Sequence, residues 1–470
     1  MIERRASKRW SSESPLEMTL LSQESGVSRA AQLSDIGRGG MKLQYVRTDA
    51  YQPSKGENIQ IRFGSSRMSG CVVWQSEDEG TGVLGVCIAK EGKTGDAVGF
   101  DKLLLLNTSY CDQIIRETLD ASISAKHRQM ADTFFQVHMK PFLKKLNELE
   151  AGHGNDVRGS RNVDSQELHE SLSCLCDDIT AQGEALANTT GERKVNKNIK
   201  EAFRLLCKPW MMGNPFAIRG LDKPRGYPGD YLMMEMAYED STSTMGGLAG
   251  EFDRLLFSRY VSVINRKDMI VGKLRKALSE WKETRPMDVL TLGGGPCREF
   301  HELERDPSAH EWRGKVALSY LDHDDQATQF AKERLSSSHI VSNASYFNQT
   351  LLTFSRTWKA TNSRTAGYDF VYALGIADYF PDTALVDIIA RSLSILRVGG
   401  QLILAHKDKL RFDFSLLDWI CDWTFLRRCE KDVARLVEEA IRMEGSKAFA
   451  VNSERDATGE IMFFMIKRTS

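Results

Sequence analysis

The stretch VLTLGGGPCREF, Val289 to Phe300, sets a strand-like run against three consecutive glycines and a proline. Glycines at a strand end let the backbone approach a ligand with no side chain between them, and Pro296 suits the first position of a following helix. Two phosphate-binding chemistries fail on spacing. A dinucleotide loop, G-x-G-x-x-G, running from Gly293 and Gly295 would need a third glycine where the chain has Arg298. A Walker A loop would need Gly-Lys-Ser/Thr at its fixed offset, and none follows. What fits is an adenosine-bearing ligand without a pyrophosphate. Downstream, LSYLDHDDQA places Asp322 at the tip of the next strand-like run, where a carboxylate can accept both hydroxyls of a ribose. Asp324 is a near neighbour and competes for that role. The structural alternative for both acids is a cap on the next helix.

A second group of reactive side chains lies in KPRGYPGDYLMMEMAY, Lys223 to Tyr238. Arg225 or Arg219 can pair bidentately with a carboxylate, while Tyr227, Tyr231 and Tyr379 can shape a pocket or donate hydrogen bonds. The alternative is a Pro/Gly turn whose tyrosines pack on a sheet. Asp378 either acts at the mouth of the site beside Tyr379 or starts the helix running through Leu385. His323 and His406 stand alone and read as structural. No metal is expected, because no cluster has metal-ligand spacing. At the amino terminus, ERRASKRW groups Arg4, Arg5, Lys8 and Arg9, which either attract phosphates and guanine edges or form a solvated charge run. LSDIGRGGMKL then puts Asp35, Gly37, Gly39 and Gly40 in a tight turn between strand-like runs.

These residues need elements to hold them. At 470 residues the chain exceeds what one core usually organises, and three domains are expected: residues 1–100, 101–215 and 216–470. The first is β-rich, with MKLQYV, NIQIRF, GCVVWQ and VLGVCI as short strands of a small barrel. The second has apolar residues at helical spacing, as in Ile114, Ile115, Leu119 and Ile123, and reads as a helical connector. The third alternates strand-like and helical runs through DVLTL, VALSYLD, YDFVYALG and GGQLILAH, which argues a Rossmann-like, doubly wound parallel sheet. SKAFAVNSERD and EIMFFMIKR, joined by ATG, close it with an antiparallel hairpin. The fold class is therefore multidomain α/β. A formal net charge of -1 supplies no global field toward a nucleic acid polymer or a membrane. Apolar runs fall far short of the ~18–20 residues of a bilayer span, so no transmembrane segment is expected and the expected location is cytoplasmic. Nine cysteines, an odd number, read as reduced and mostly buried thiols.

LTLGGGPCRE, YLDHDDQA, YDFVYALGIADYF and LRVGGQLILAH together resemble class I S-adenosylmethionine-dependent methyltransferases over roughly Asp288 to Arg468. The resemblance implies that the backbone of Gly293, Gly294 and Gly295 lies beside the methionine part of the donor. It further implies that Asp322 holds the ribose, that the segment near Asn348 reaches the adenine, and that Gly375 lies close to the reactive methyl. The family often carries an acid two residues before the first loop glycine, where this chain has Thr291.

KPRGYPGDYLMMEMAY with GIADYFPD is similar to the bacterial methyltransferases of 3-hydroxy fatty acid methyl ester (3-hydroxypalmitic acid methyl ester) biosynthesis, a quorum-sensing signal. This likeness implies methylation of a small-molecule acid at its carboxylate, with Arg225, Tyr227, Asp378 and Tyr379 near the chemistry. The amino-terminal residues resemble a PilZ domain, whose R-x-x-x-R and D/N-x-S-x-x-G motifs bind cyclic di-GMP. Arg5 and Arg9 match the first, Asp35 and Gly40 the ends of the second, and Gly37 replaces its serine. The expected protein is a methyltransferase using S-adenosylmethionine and regulated by cyclic di-GMP. The alternative is a non-enzymatic cyclic di-GMP effector with a donor-binding or degenerate methyltransferase module. A nicotinamide oxidoreductase is disfavoured by Arg298.

Overall fold

The computed structural model describes residues 9–11, 17–22, 27–37, 40–46, 53–63, 66–78, 81–88, 102, 105–106, 110–119, 123–153, 163–211, 215–239, 247–358, 367–445 and 447–470. Arg4, Arg5, Lys8 and Gly39 of the amino-terminal motifs lie outside them, and of Arg9, Asp35, Gly37 and Gly40 only the backbone is described. Strands β1 (Arg9–Ser11), β2 (Glu17–Ser22), β3 (Ser28–Gly37), β4 (Gly40–Val46), β5 (Asn58–Phe63), β6 (Ser66–Asp78) and β7 (Thr81–Ile88) build the first sheet. The order β3-β2-β5-β6-β7-β4, with β4 returning to pair with β3, closes six antiparallel strands into a barrel. Alternation puts Met18, Leu20, Leu33, Met41, Leu43, Ile59, Ile61, Val72, Leu84 and Val86 into its core. Among the described residues β1 pairs with β3 alone, Arg9 opposite Gly37 and Ser11 opposite Asp35, while Gly37 faces Gly40 across the β3–β4 pair. The backbones of these motif residues thus share one end of one strand group.

Helices follow at Tyr110–Thr118, Ala125–Phe134, Lys140–His153, Val163–Thr190 and Arg193–Met211. In the last, Val195, Ile199, Phe203, Leu206 and Trp210 recur at helical spacing and are buried. The chain forms two compact units. One takes in Met1–Ile218 with Thr242–Leu255 and Trp419–Cys421, and the other Arg219–Ser241, Leu256–Asp418 and Asp422–Ser470.

The second unit is built on strands β8 (Met287–Leu292), β9 (Val316–Asp322), β10 (Val341–Asn348), β11 (Tyr368–Ala373), β12 (Leu396–Lys407), β13 (Phe449–Arg455) and β14 (Ile461–Arg468). Their order is β10-β9-β8-β11-β12-β14-β13. The first five are parallel and the β13–β14 hairpin is antiparallel, so the mixed α/β sheet ends as the sequence reading expects. β8 is buried along its whole length because it lies inside the sheet, between β9 and β11, with a core on each face. Leu290, Leu292, Val371 and Leu402 pack under the helices Asp382–Ser394 and Glu430–Glu444. Val289, Phe370 and Ile403 pack with Ile270, Leu274 and Leu278 of the helix Val261–Glu280. Arg285 and Arg397 bind Asp288 and Asp369 at the amino-terminal edge of the sheet, which leaves the opposite edge free for chemistry. Among the described residues no helix is long and apolar enough to cross a membrane.

Candidate active site

The strand order reverses beside β8: the chain steps outward to β9 and β10, then returns to β11 on the other flank. Ligands of such sheets bind outside the carboxyl ends of the strands at this switch point. A cavity of ≈ 450 Å³ opens there, lined by Gly293–Gly295, Asp322, Thr350, Gly375 and Lys407 among others. That volume suits a small molecule or cofactor.

The glycine loop is held at both ends. Gly293 and Gly294 donate their amides to the Leu321 carbonyl at 2.8 and 3.1 Å. A Cβ on Gly294 would stand 2.3 Å from the Tyr320 ring, so only glycine fits between loop and β9. A Cβ on Gly295, by contrast, would meet nothing within 4 Å, and its φ is +50°. Gly295 is therefore the point where bare backbone faces the cavity. Its amide donates to Asp322 Oδ2 at 2.9 Å, and the Asp324 amide donates to Asp322 Oδ1 at 2.9 Å. Asp322 is 6% exposed, lines the cavity and keeps further lone pairs for a ligand.

Asp324 is placed otherwise. It caps the helix Asp325–Leu335 through the Gln326 amide at 2.9 Å and accepts from Arg225 Nη2 at 2.6 Å and Tyr227 Oη at 2.9 Å. Burial would raise its pKa, but these bonds hold the carboxyl down to about 2. Neither Asp324 nor Arg225 lines the cavity. Arg225 also pairs with Asp325, and Arg219 pairs with buried Asp230 at 2.7 Å, so KPRGYPGDY is pinned as a strap by its own charges. Tyr227 and Tyr231 do line the cavity, Tyr227 with its ring 5.0 Å from that of His323. His323 lies near Asp322, whose carboxylate raises its pKa. Asn348 ends β10 without lining the cavity; Gln349, Thr350, Leu351 and Leu352 take up that wall.

Asp378 has no exposed surface. It accepts from the Lys407 amide at 3.0 Å and Lys407 Nζ at 3.1 Å, with His406 Nδ1 3.1 Å away. Burial would raise its pKa, and the Lys407 charge together with the Lys407 amide holds it down to about 2. Arg428 Nη1 lies 3.2 Å from His406 Nε2, and a guanidinium only donates, so Nε2 accepts and Nδ1 carries the proton. That proton points to the Lys407 carbonyl at 2.7 Å. Lys407 is 2% exposed, lines the cavity and lies 4.4 Å from the Phe425 ring centroid. Burial pulls its pKa down to about 8 against the attraction of Asp378. Tyr379 lines the cavity, its hydroxyl accepts from Trp423 Nε1, and burial raises its pKa. The phenol is thus neutral, with its own proton available to a ligand.

Arg266, Lys407 and Trp423 line the same cavity outside every motif of the sequence reading, and Glu299 lines it from within LTLGGGPCRE, where no role was read for it. Lys407 had a positional signal, directly after the strand-like run GGQLILAH. Glu299 had one too, in the first turn after the glycine loop. Arg266 sits in the second turn of an ordinary helix and had none.

No family model matches this chain, and no curated protein does. Solved structures resemble it in part. A possible exported protein from Bordetella parapertussis is 16% identical over 66% of this chain and 100% of its own, with a TM-score of 0.41. The magnesium protoporphyrin IX methyltransferase of Synechocystis PCC 6803 with bound SAM is 13% identical over 50% of this chain and 97% of its own, TM-score 0.31. N-methyltransferase NodS from Bradyrhizobium japonicum WM9 with S-adenosylhomocysteine is 13% identical over 51% and 98%, TM-score 0.31. The chemistry is read from the cavity itself.

Proposed function

We propose that the second unit is a methyltransferase that uses S-adenosylmethionine. The observation that carries this is the junction of Gly295 and Asp322: a glycine with open space at its Cα, whose amide donates to a buried carboxylate at 2.9 Å on the wall of a switch-point cavity. The pair suits a ribose beside a close-packed backbone. It repels a pyrophosphate, as does Glu299 farther along the wall. Arg298, which stands where a dinucleotide loop has glycine, is buried and spent on Glu235 at 3.0 Å and Glu302 at 2.8 Å. Loop and acid would hold the adenosine, with Gln349 and Thr350 beside the base and Gly375 on the reactive side. When bound, the donor supplies an electrophilic methyl on a sulfonium.

The acceptor in this reading is the carboxylate of an apolar small acid, such as a 3-hydroxy fatty acid. A carboxylate is already anionic at neutral pH, so the protein must align and desolvate it rather than deprotonate it. Lys407 is the cation placed for this, backed by Asp378, and Tyr379 adds a phenolic proton. Trp423, Phe380, Ile376 and Met234 give the apolar wall. Arg225 and Tyr227 position the strap through Asp324 instead of gripping the acceptor.

The barrel, in the same reading, binds cyclic di-GMP through Arg4, Arg5, Arg9, Asp35, Gly37 and Gly40 and regulates turnover. The supporting observation is the register that sets Arg9 opposite Gly37 and Gly37 opposite Gly40.

Calorimetry with S-adenosylmethionine tests the donor, and methyl transfer from labelled donor into bacterial lipid and metabolite extracts tests the chemistry. The expected product is apolar and releases labelled methanol on alkaline hydrolysis, as a methyl ester does. Binding without transfer turns the reading into the non-enzymatic effector; no binding removes the donor altogether.

A further inference from the structure

Two charged side chains on the cavity wall lack partners for atoms that need them. Glu299 stands in the first turn of the helix Arg298–Glu304, just behind the glycine loop, and is 6% exposed. Its Oε2 is buried with no hydrogen-bond partner among the described residues. Arg266, from the helix Val261–Glu280, is 5% exposed, and its Nε is buried and unpartnered in the same sense. Its guanidinium fills the space that a Cβ on Gly375 would need, 2.2 Å from Nη1. The two side chains face one cavity and do not satisfy each other through these atoms.

A buried ionisable group without a partner is costly, and a native site keeps such a group where a ligand completes it. The ligand must satisfy both signs. A phosphate or a simple carboxylate would answer Arg266 and be repelled by Glu299. A simple amine would do the reverse. An α-amino-acid group carries an ammonium and a carboxylate on one carbon and answers both. The loop and Asp322 occupy the other part of the wall, so this pair lies where an adenosyl ligand would extend past its sugar.

We infer that Glu299 and Arg266 hold the α-amino-acid end of the donor, Glu299 accepting from its ammonium and Arg266 donating to its carboxylate. The inference rests on the donor reading above. It also accounts for Thr291, a buried strand residue that cannot accept an ammonium as an acid would. In this chain the acid comes after the glycine loop, from the helix, instead of before it, from the strand.

The test compares two adenosine thioethers by calorimetry on the full chain: S-adenosylhomocysteine, which has the amino-acid end, and methylthioadenosine, which lacks it. The wild-type chain is expected to prefer the former. Glu299→Gln, of the same shape, should weaken S-adenosylhomocysteine by about 10-fold or more, the range of a hydrogen bond to a charged group. Methylthioadenosine should stay within about 2-fold, which also reports that the variant is folded. Arg266→Lys should show the same selective loss. Equal weakening of both compounds, or an unchanged preference in Glu299→Gln, overturns the assignment while leaving the donor reading in place. A wild-type chain that binds neither compound overturns the donor reading and the assignment with it.

Discussion

Glu299 has to be ionised to hold an ammonium, and burial pushes its pKa up to about 7 in the free protein. The groups around it are Arg266 and Lys267 of one helix, Arg334 of the helix Asp325–Leu335, Tyr238, and Cys297 beside the loop. At pH 6 the carboxyl is mostly protonated and must lose its proton for the ligand to bind. At pH 7.5 it is mostly ionised already. S-Adenosylhomocysteine affinity should therefore rise about eightfold from pH 6 to pH 7.5 in the wild-type chain by proton linkage. The rise should be much smaller in Glu299→Gln, where only His323 near Asp322 and Lys407 remain to titrate on the cavity wall among the groups with shifted pKa values, and calorimetry at the two pH values reads the difference directly. A rise of equal size in the variant would place the titrating group elsewhere. Legibility at this scale divides by position. The glycine loop and Asp322 were readable because strand-end residues of a parallel sheet have a defined place in space. Arg266 was not, since nothing in a helical period tells which turn will face a cavity. Arg225 was conspicuous in sequence for its motif, yet the structure ties it to Asp324 and Asp325.

At the scale of elements, Asp324 joins three pieces: the tip of β9, the start of the helix Asp325–Leu335 and the strap around Arg225 and Tyr227. Asp324→Ala removes the helix cap, worth ~1 kcal/mol, as well as the acceptor that fixes the strap. The cap alone should lower the melting temperature by roughly 2–4 °C in a unit of this size. Asp324→Asn keeps a competent cap and loses only the charge. It should melt closer to the wild-type chain but bind methylthioadenosine more weakly, because Tyr227 and the strap border the cavity. Equal melting of Asp324→Ala and wild type in scanning calorimetry would mean that the strap is held by other contacts. The sequence reading found strands β8, β9, β11, β12 and the closing hairpin from their apolar runs. It passed over β10, VSNASYFN, because that strand lies at the sheet edge, is largely half-buried or exposed, and lacks the continuous apolar run of a central strand.

At the scale of the whole molecule, the barrel belongs to one compact unit and the cavity to the other. Barrel and sheet were both legible as classes, from strand spacing in one and strand–helix alternation in the other. What one does to the other is a coupling free energy, which no local pattern encodes. Under the proposed regulation, that coupling must be reciprocal. If saturating cyclic di-GMP changes the affinity for S-adenosylhomocysteine by a given factor, the thioether must change the affinity for cyclic di-GMP by the same factor, typically ~5–150-fold for coupled sites. Both factors are accessible by calorimetry on the full chain, each ligand titrated with and without the other. Arg9→Ala, in the strand paired beside Gly37, should weaken the nucleotide at least ~10-fold, as loss of a charge-assisted contact does. It should also abolish the shift in thioether affinity while leaving that affinity otherwise intact. Nucleotide binding that leaves both thioether affinity and turnover unchanged would make the barrel and the cavity two independent functions carried on one chain.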